Sequence, residues 1–119
     1  MSISYQGIGQ WCATFAGSSM TEGAVVKMGS ANGTVAACGA GDNFCGVVAS
    51  VAHDGTACSV QLGGFATVSY SGDSAPSVGF NALVADAAGG VAVAGEDDEG
   101  HTYLAVAVDT TAKTVTIKL

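Results

Sequence analysis

The C-terminal stretch Thr114-Val115-Thr116-Ile117-Lys118-Leu119 decides the fold class, because its apolar side chains fall at every second position. This is the period of a strand that buries one face. Residues 57–62 and 67–71 show the same alternation. Residues 46–51 and 103–108 are continuously apolar and rich in valine, which predicts strands covered on both faces. Glycine interrupts almost every window that could form a helix, so we expect none.

Turn signals separate these runs. Glycine and asparagine tolerate the positive φ of tight hairpins, and four dipeptides of this kind occur: Asn32-Gly33, Asp54-Gly55, Gly63-Gly64 and Gly89-Gly90. Short strands with frequent turns are typical of a small barrel or sandwich. The sequence therefore predicts an all-β fold of that type.

An internal repeat divides the chain. Residues 23–35 and 79–91 share an apolar run followed by a turn, and each leads to a valine-rich strand and then to an alternating one. We expect a single domain, residues 20–119, built from two pseudo-repeated lobes at about 20–71 and 78–119. Residues 71–77, which are small and polar and include the only proline, would link them.

Residues 1–19 match neither lobe and would form an N-terminal arm or an extra strand. Aromatic side chains are enriched at protein interfaces, and this segment has its own set of large apolar residues. We predict that these side chains bind a partner: Ile3, Tyr5, Ile8, Trp11 and Phe15.

Small side chains dominate the composition. Alanine, glycine, serine and threonine fill half of the chain, with 18 glycines, while leucine and isoleucine are scarce. At about 25 cal/mol per Å² of buried apolar surface, such residues make a thin core. We therefore expect the chain to bury further surface against copies of itself or within a larger assembly.

The charge excludes two classes of partner. The chain has 3 Lys and no Arg against 10 acidic residues, for a net charge of −7. Nucleic-acid binding requires a positive surface, and anionic membranes disfavour an acidic protein. No apolar run is long enough to span a bilayer, and the N-terminus does not resemble a signal peptide, which favours a protein made in a reducing cytosol.

The cysteines and histidines have no spacing typical of a site. No pair among Cys12, Cys38, Cys45 and Cys58 forms a CxxC motif, so zinc is disfavoured and we expect buried free thiols acting as small apolar side chains. A Cys38–Cys45 disulfide remains an alternative. His53 or His101 could serve as the base for a cysteine nucleophile, but no flanking signature supports this. We expect no enzymatic activity, no metal and no cofactor.

One acidic cluster, Glu96-Asp97-Asp98-Glu99, offers oxygen ligands for calcium. It lacks the spaced order of a dedicated calcium loop. A solvated acidic turn between two strands is the favoured interpretation.

The order of several sequence segments resembles that of the small decoration, or cement, proteins of tailed-phage capsids. These segments are residues 22–27, 32–35, 42–48 and 60–68, the last of which contains Gly63-Gly64 followed by a valine-containing strand. Residues 78–86 are their counterpart in the second half. The resemblance covers about residues 20–119 and consists of turn and valine/glycine spacing, with no catalytic motif.

This resemblance implies a non-enzymatic structural protein of the virion, assembled in the host cytoplasm. Such proteins bind the major capsid protein on the outside of an icosahedral head, commonly as homotrimers, and stabilise it against the pressure of packaged DNA. Residues 1–19 would correspond to the arm with which such proteins reach the shell. The alternative function is a small β-rich module of a phage or bacterial surface that binds a sugar or a protein.

Overall fold

The computed structural model describes residues 10–95 and 100–119. These residues form ten strands and no helix, which confirms the predicted all-β fold. The strands are β1 (Trp11–Ala16), β2 (Val25–Met28), β3 (Val35–Ala37), β4 (Gly46–Val51), β5 (Ala57–Gly63), β6 (Phe65–Ser71), β7 (Gly79–Ala85), β8 (Val91–Val93), β9 (His101–Asp109) and β10 (Thr114–Lys118).

The alternating stretches form strands with one face in the core. In β10, Val115 and Ile117 are buried in the core, Lys118 is exposed, and Thr116 is also buried, with its hydroxyl 2.8 Å from that of Thr67. In β6, Val68 and Tyr70 are buried between exposed neighbours. The period-2 pattern therefore identifies the core-facing side chains of β6 and β10, although Thr116 is also buried on the other face of β10.

The first five strands form a sheet in the order β1-β5-β4-β2-β3, in which all named neighbours are antiparallel. The two ends of this sheet touch at one point. Ala16 and Thr34 form a single parallel bridge, and the Ala16 amide donates to the Gly33 carbonyl at 2.9 Å. The first half is thus a barrel that is almost, but not fully, closed.

The last five strands form a closed barrel in the order β10-β6-β8-β7-β9. Its closure is a parallel pairing of β6 with β8, through Tyr70 with Val91 and Ser71 with Ala92. The other four pairings are antiparallel.

The two halves have the same topology. If β1 to β5 are matched with β6 to β10 in chain order, every strand has the equivalent neighbours, and the Ala16–Thr34 bridge corresponds to the β6–β8 pairing. The two lobes expected from the internal repeat are therefore present as two sets of five strands that are arranged in the same order.

The division between the halves lies elsewhere than the sequence suggested. It falls at Gly64, where the chain leaves β5 and enters β6, whereas the predicted linker, residues 71–77, overlaps the connection of residues 72–78 between β6 and β7 within the second half. The physical reason is that Val68 and Tyr70 pack with Val115 and Ile117 in one core. A φ of +86° at Gly64, which glycine adopts at little cost, makes the sharp connection.

The N-terminal residues also belong to the repeat, contrary to expectation. The described part of the 1–19 segment contains β1, which pairs with β5 as β6 pairs with β10. Of the two forms considered for this segment, residues 11–16 adopt the extra strand.

The two cores differ in size. The second half contains most of a cluster of twelve buried residues, which Val25, Phe44 and Val47 join from the first half. The first half has its own cluster of five: Val26, Val35, Val48, Cys58 and Val60.

The loop between β3 and β4 binds the halves together. The rings of Phe44 and Tyr103 stack at 4.8 Å, and the Tyr103 hydroxyl donates to the Phe44 carbonyl at 3.2 Å. Asp42 and Ala85 join through the backbone, as the Ala85 amide donates to the Asp42 carbonyl at 2.8 Å. The principal extents of 40 × 36 × 21 Å describe a flat molecule about two sheet layers thick.

Candidate partner-binding surface

The five residues predicted to bind a partner are placed differently by the structure. Ile3, Tyr5 and Ile8 lie outside the described residues. Phe15 is half-buried and packs against the core of the first half, so much of its surface is already used within the chain. Trp11 is 58% exposed and remains a candidate for contact with another molecule.

Local strand geometry explains the exposure of Trp11. Trp11 points to the same side of β1 as Ala13 and Phe15, but it is the first residue of the strand. The register with β5 shifts between Trp11 and Cys12, which sets Trp11 opposite Gly63. A β-carbon at Gly63 would overlap the indole nitrogen of Trp11, so the glycine lets one face of the ring lie against the strand. The rest of the ring faces solvent.

A second apolar feature lies on the outside of the closed barrel, and the sequence did not single it out. Phe80 is 76% exposed and Val78 is 71% exposed. Phe80 lies opposite Leu104, and Leu104 lies opposite Lys118. These side chains border a shallow depression of about 430 Å³, named here the Phe80 groove, whose described lining residues are Phe80, Thr102, Tyr103, Leu104, Lys118 and Leu119.

The exposure of Phe80 depends on which face of β7 is buried, and the sequence alone does not show this. Leu83 is fully buried, and alternation along β7 therefore turns Phe80 and Ala82 outward. The run Gly79-Phe80-Asn81-Ala82-Leu83-Val84-Ala85 has apolar side chains at both parities, so its sequence does not identify the buried face.

The start of the described chain lies close to this groove. The side-chain Nε2 of Gln10 donates to the Phe65 carbonyl at 3.2 Å, and the Nε2 of Gln61 donates to the same carbonyl at 2.8 Å. Phe65 lies opposite Lys118, and the Leu119 amide donates to the Gly64 carbonyl at 2.9 Å. Trp11, which follows Gln10, and the Phe80 groove, which Lys118 and Leu119 line, therefore both lie near the Gln10–Phe65 contact.

All four cysteines are free in the structure, and no disulfide joins Cys38 to Cys45. The expectation of buried thiols is correct for Cys58 alone, because Cys12 and Cys45 are exposed and Cys38 is half-buried. Desolvation, with the nearby Asp42 charge as the second cause, raises the pKa of Cys38 to about 11. Desolvation also raises the pKa of Cys45 and of Cys58. These three thiols stay protonated at neutral pH and are weak nucleophiles.

One ion pair lies beside Cys38. The Lys27 ammonium donates to the Asp42 carboxylate at 2.7 Å, and the Gly39 amide donates to the same oxygen at 2.8 Å. The hydrogen bond from Lys27 is the main cause that lowers the pKa of Asp42, and the same bond raises the pKa of Lys27. The pair holds the β3–β4 loop against β2, which is a structural role.

The other polar groups considered in the sequence are not gathered into a centre. His53 and His101 are both exposed and lie on different halves. Glu96, Asp97, Asp98 and Glu99 lie outside the described residues. Within residues 10–95 and 100–119, no group of three or more His, Cys, Asp or Glu side chains is placed to hold a metal ion.

A polar cleft of about 280 Å³ lies between the two halves. Glu22 and four residues with hydroxyl side chains, Thr21, Thr67, Ser69 and Thr114, contribute to its lining. Glycine and alanine backbone from residues 88–90 forms another wall. Hydroxyl and carboxylate groups of this kind hydrogen-bond small polar molecules.

Comparison of the chain with protein-family models, with curated proteins and with solved structures finds no match. In the part of the chain that the structure describes, no helix has the length and apolar character needed to cross a membrane.

Proposed function

We propose that this chain is a structural protein that decorates the outer surface of an icosahedral phage head and stabilises it. It would bind the major capsid protein and associate with copies of itself, with a trimer as the favoured assembly. The sequence resemblance motivates this proposal. The single structural observation that supports it best is the exposure of large apolar side chains on a chain with thin cores, of which the three most exposed among the described residues are Trp11, Val78 and Phe80.

These exposed side chains have a physical cost in an isolated molecule. Soluble monomers rarely expose contiguous apolar patches larger than a few hundred Å², and larger ones mark interaction surfaces. Val78 lies just before β7, two residues from Phe80, and Phe80 lines the Phe80 groove. A molecule with this surface gains free energy when it is covered, at about 25 cal/mol per Å².

The flat shape of the molecule suits the proposed role. A body 21 Å thick and 40 × 36 Å across can cover a seam between subunits with a broad face. A protein that binds the assembled shell and not its separated subunits stabilises the shell by mass action. No catalytic step is required for this function.

Cryo-electron microscopy of the virion that carries this chain tests the proposal. We expect density of the size of this two-barrel molecule on the outside of the head at the local threefold positions. An outer surface that is bare at every such position would contradict it. Reconstitution onto heads stripped of the protein provides a second measurement, with heat resistance of the head as the readout.

A matched pair of variants sharpens the reconstitution. Ile3→Asp together with Ile8→Asp changes the predicted arm, while Ala49→Asp changes an exposed residue of β4. The proposal predicts that the first variant binds heads several-fold more weakly and that the second binds normally. Equal binding by both variants would contradict the role of the arm.

A second candidate, a module that binds a small sugar, is favoured by one observation. The polar cleft between the halves is lined by four residues with hydroxyl side chains and by Glu22. Thermal unfolding with a panel of mono- and disaccharides tests it, because a ligand of the folded state raises the melting temperature. A melting temperature that no sugar changes would contradict this candidate.

A further inference from the structure

The Phe80 groove has the chemistry of a pocket for an aromatic side chain. Its walls are the ring of Phe80 and the side chains of Leu104 and Leu119. Lys118, whose neighbours across the strands are Phe65 and Leu104, places an ammonium at the edge. A cation near the face of an aromatic ring attracts it, and tryptophan is the most favourable partner. None of the described residues that line the groove is acidic.

The chain itself exposes a side chain of this type. Trp11 is the only tryptophan, and one part of its ring lies against Gly63 while 58% of the residue is exposed. Aromatic side chains of this size contribute about 150–250 Å² when buried. A groove of about 430 Å³ has room for the indole.

Charge favours a second copy of the chain as the source of this side chain. The protein has a net charge of −7, so two copies repel each other over most approaches. No charged residue precedes Glu22 in the sequence, so Trp11 lies in a neutral segment. The groove contributes Lys118, one of only three cations in the chain. Copies that meet here avoid like-charge contact at the site and gain a cation–π pair.

We infer that Trp11 of one copy inserts into the Phe80 groove of a second copy. This inference deepens the self-association included in the proposed function, and it assigns Trp11 to the contact between copies. Ile3, Tyr5 and Ile8 then remain available for the shell. A stable interface buries about 800 Å² per partner, so Val78 and the surface around it must also be covered.

The fluorescence of the single tryptophan reports this contact directly. With increasing protein concentration, we expect the emission maximum to shift to shorter wavelength and quenching by acrylamide to fall several-fold, because the indole leaves water. Light scattering on the same samples should show a mass above the 11.5 kDa of one chain. A tryptophan that stays fully quenchable while the mass rises would overturn the inference, and so would a mass of one chain at all concentrations.

Two groove variants and one control separate this surface from others. Phe80→Asp removes the main wall, and Lys118→Glu reverses the cation at its edge; both residues are exposed, so the fold should persist. Met28→Asp is the control, because it introduces the same aspartate at another exposed apolar residue, which is 49% exposed and does not line the groove. We expect both groove variants to dissociate at least tenfold more readily than the wild type and the control to associate normally. Normal association of Phe80→Asp, with its far-ultraviolet dichroism unchanged, would overturn the inference.

The outcome is distinguishable from that of the proposed function. Self-association is measured on the purified chain alone, and decoration is measured by density or binding on heads. A chain that associates through Trp11 but leaves heads bare supports this inference and contradicts the decoration role. A chain that covers heads but shows no Trp11 contact does the reverse.

Discussion

The two halves of this molecule have one topology but different degrees of closure. In the second half, β6 and β8 pair at two residue pairs and complete a barrel around most of a twelve-residue core. In the first half, one bridge between Ala16 and Thr34 joins the equivalent strands, and the core has five buried residues. The comparison shows that strand order alone does not close a small barrel.

The interior side chains explain the difference. The closed half contains Tyr70, Leu83 and Ile117, which are large and buried. The core of the open half consists of four valines and Cys58. Protein interiors are packed to nearly crystalline density. The smaller side chains of the first half fill less volume, so its barrel gains less buried apolar surface from full closure. The closed half also gains Phe44 from the loop of the other half.

The largest expected effect compares Ile117 with Leu62. Each lies two residues after a buried valine of its strand, Val115 in β10 and Val60 in β5, but Ile117 is fully buried and Leu62 is half-buried. Replacing a buried isoleucine by alanine costs about 2–5 kcal/mol. We expect Ile117→Ala to reduce the free energy of unfolding by an amount in that range and Leu62→Ala to reduce it by about half as much, measured by urea denaturation. Equal losses would contradict the difference between the cores.

The second prediction concerns barrel closure at Gly90. A β-carbon there would approach the Ser69 carbonyl and the Asp86 carboxylate too closely, so glycine allows β8 to lie against β6. We expect Gly90→Ala to cost about 1–3 kcal/mol, as overpacking does, and to speed amide exchange in β8. Gly33, on the equivalent turn of the first half, has no atom within 4 Å of such a carbon, but its φ of +69° makes alanine strained for a different reason.

Gly23→Ala is the control for that strain. Gly23 has a φ of +85° with open space around a β-carbon, so its substitution measures the backbone cost without a clash. We expect this variant to leave amide exchange in β8 unchanged. Faster exchange of β8 in Gly23→Ala as well would show that the Gly90 effect is not local to the closure.

The third prediction tests the contact between the halves. The Tyr103 hydroxyl donates to the Phe44 carbonyl, and the rings stack. Tyr103→Phe keeps the stacking and removes the hydrogen bond, for an expected loss of about 0.5–1.5 kcal/mol. Tyr103→Leu should cost more, because it also removes the stacked ring. If Tyr103→Phe is as stable as the wild type by urea denaturation, the hydroxyl does not connect the halves.

Much of this architecture could be predicted from alternation, and the limits have physical causes. Val115 and Ile117 show a single parity, so strand β10 and its inner face follow from the sequence. Phe80 lies in a run that is apolar at both parities, so its exposure depends on which face the barrel encloses. The sequence did not predict that β1 is the equivalent of β6, because the two strands have no similar sequence. Their equivalence lies in their pairing partners, β5 and β10, which are distant along the chain. Trp11 was predicted to contact a partner because aromatic side chains are enriched at interfaces; the structure shows that it is exposed, and its role as a contact stays a prediction.

The smallest expected effect is a pH dependence carried by the Lys27–Asp42 pair, which fastens the β3–β4 loop that bridges the halves. The hydrogen bond from Lys27 lowers the pKa of Asp42 in the folded state. A lowered carboxyl pKa gives stability that is complete above the unfolded value of about 4 and is lost as the pH falls through the folded value. The raised pKa of Lys27 adds stability that is present at neutral pH and is lost only as the pH rises through the folded pKa of the lysine.

Asp42→Asn should therefore be less stable than the wild type at neutral pH, and the difference should shrink as the pH falls below 4, on the acid side of the usual carboxyl range. Asp73→Asn, at an exposed position in the β6–β7 connection, is the matched control and should follow the wild-type curve. Urea denaturation across the acid range measures both variants. Parallel curves for Asp42→Asn and the wild type would mean that the ion pair does not hold the loop, and the connection between the halves would then depend on the Phe44–Tyr103 stack and the backbone bonds at Ala85.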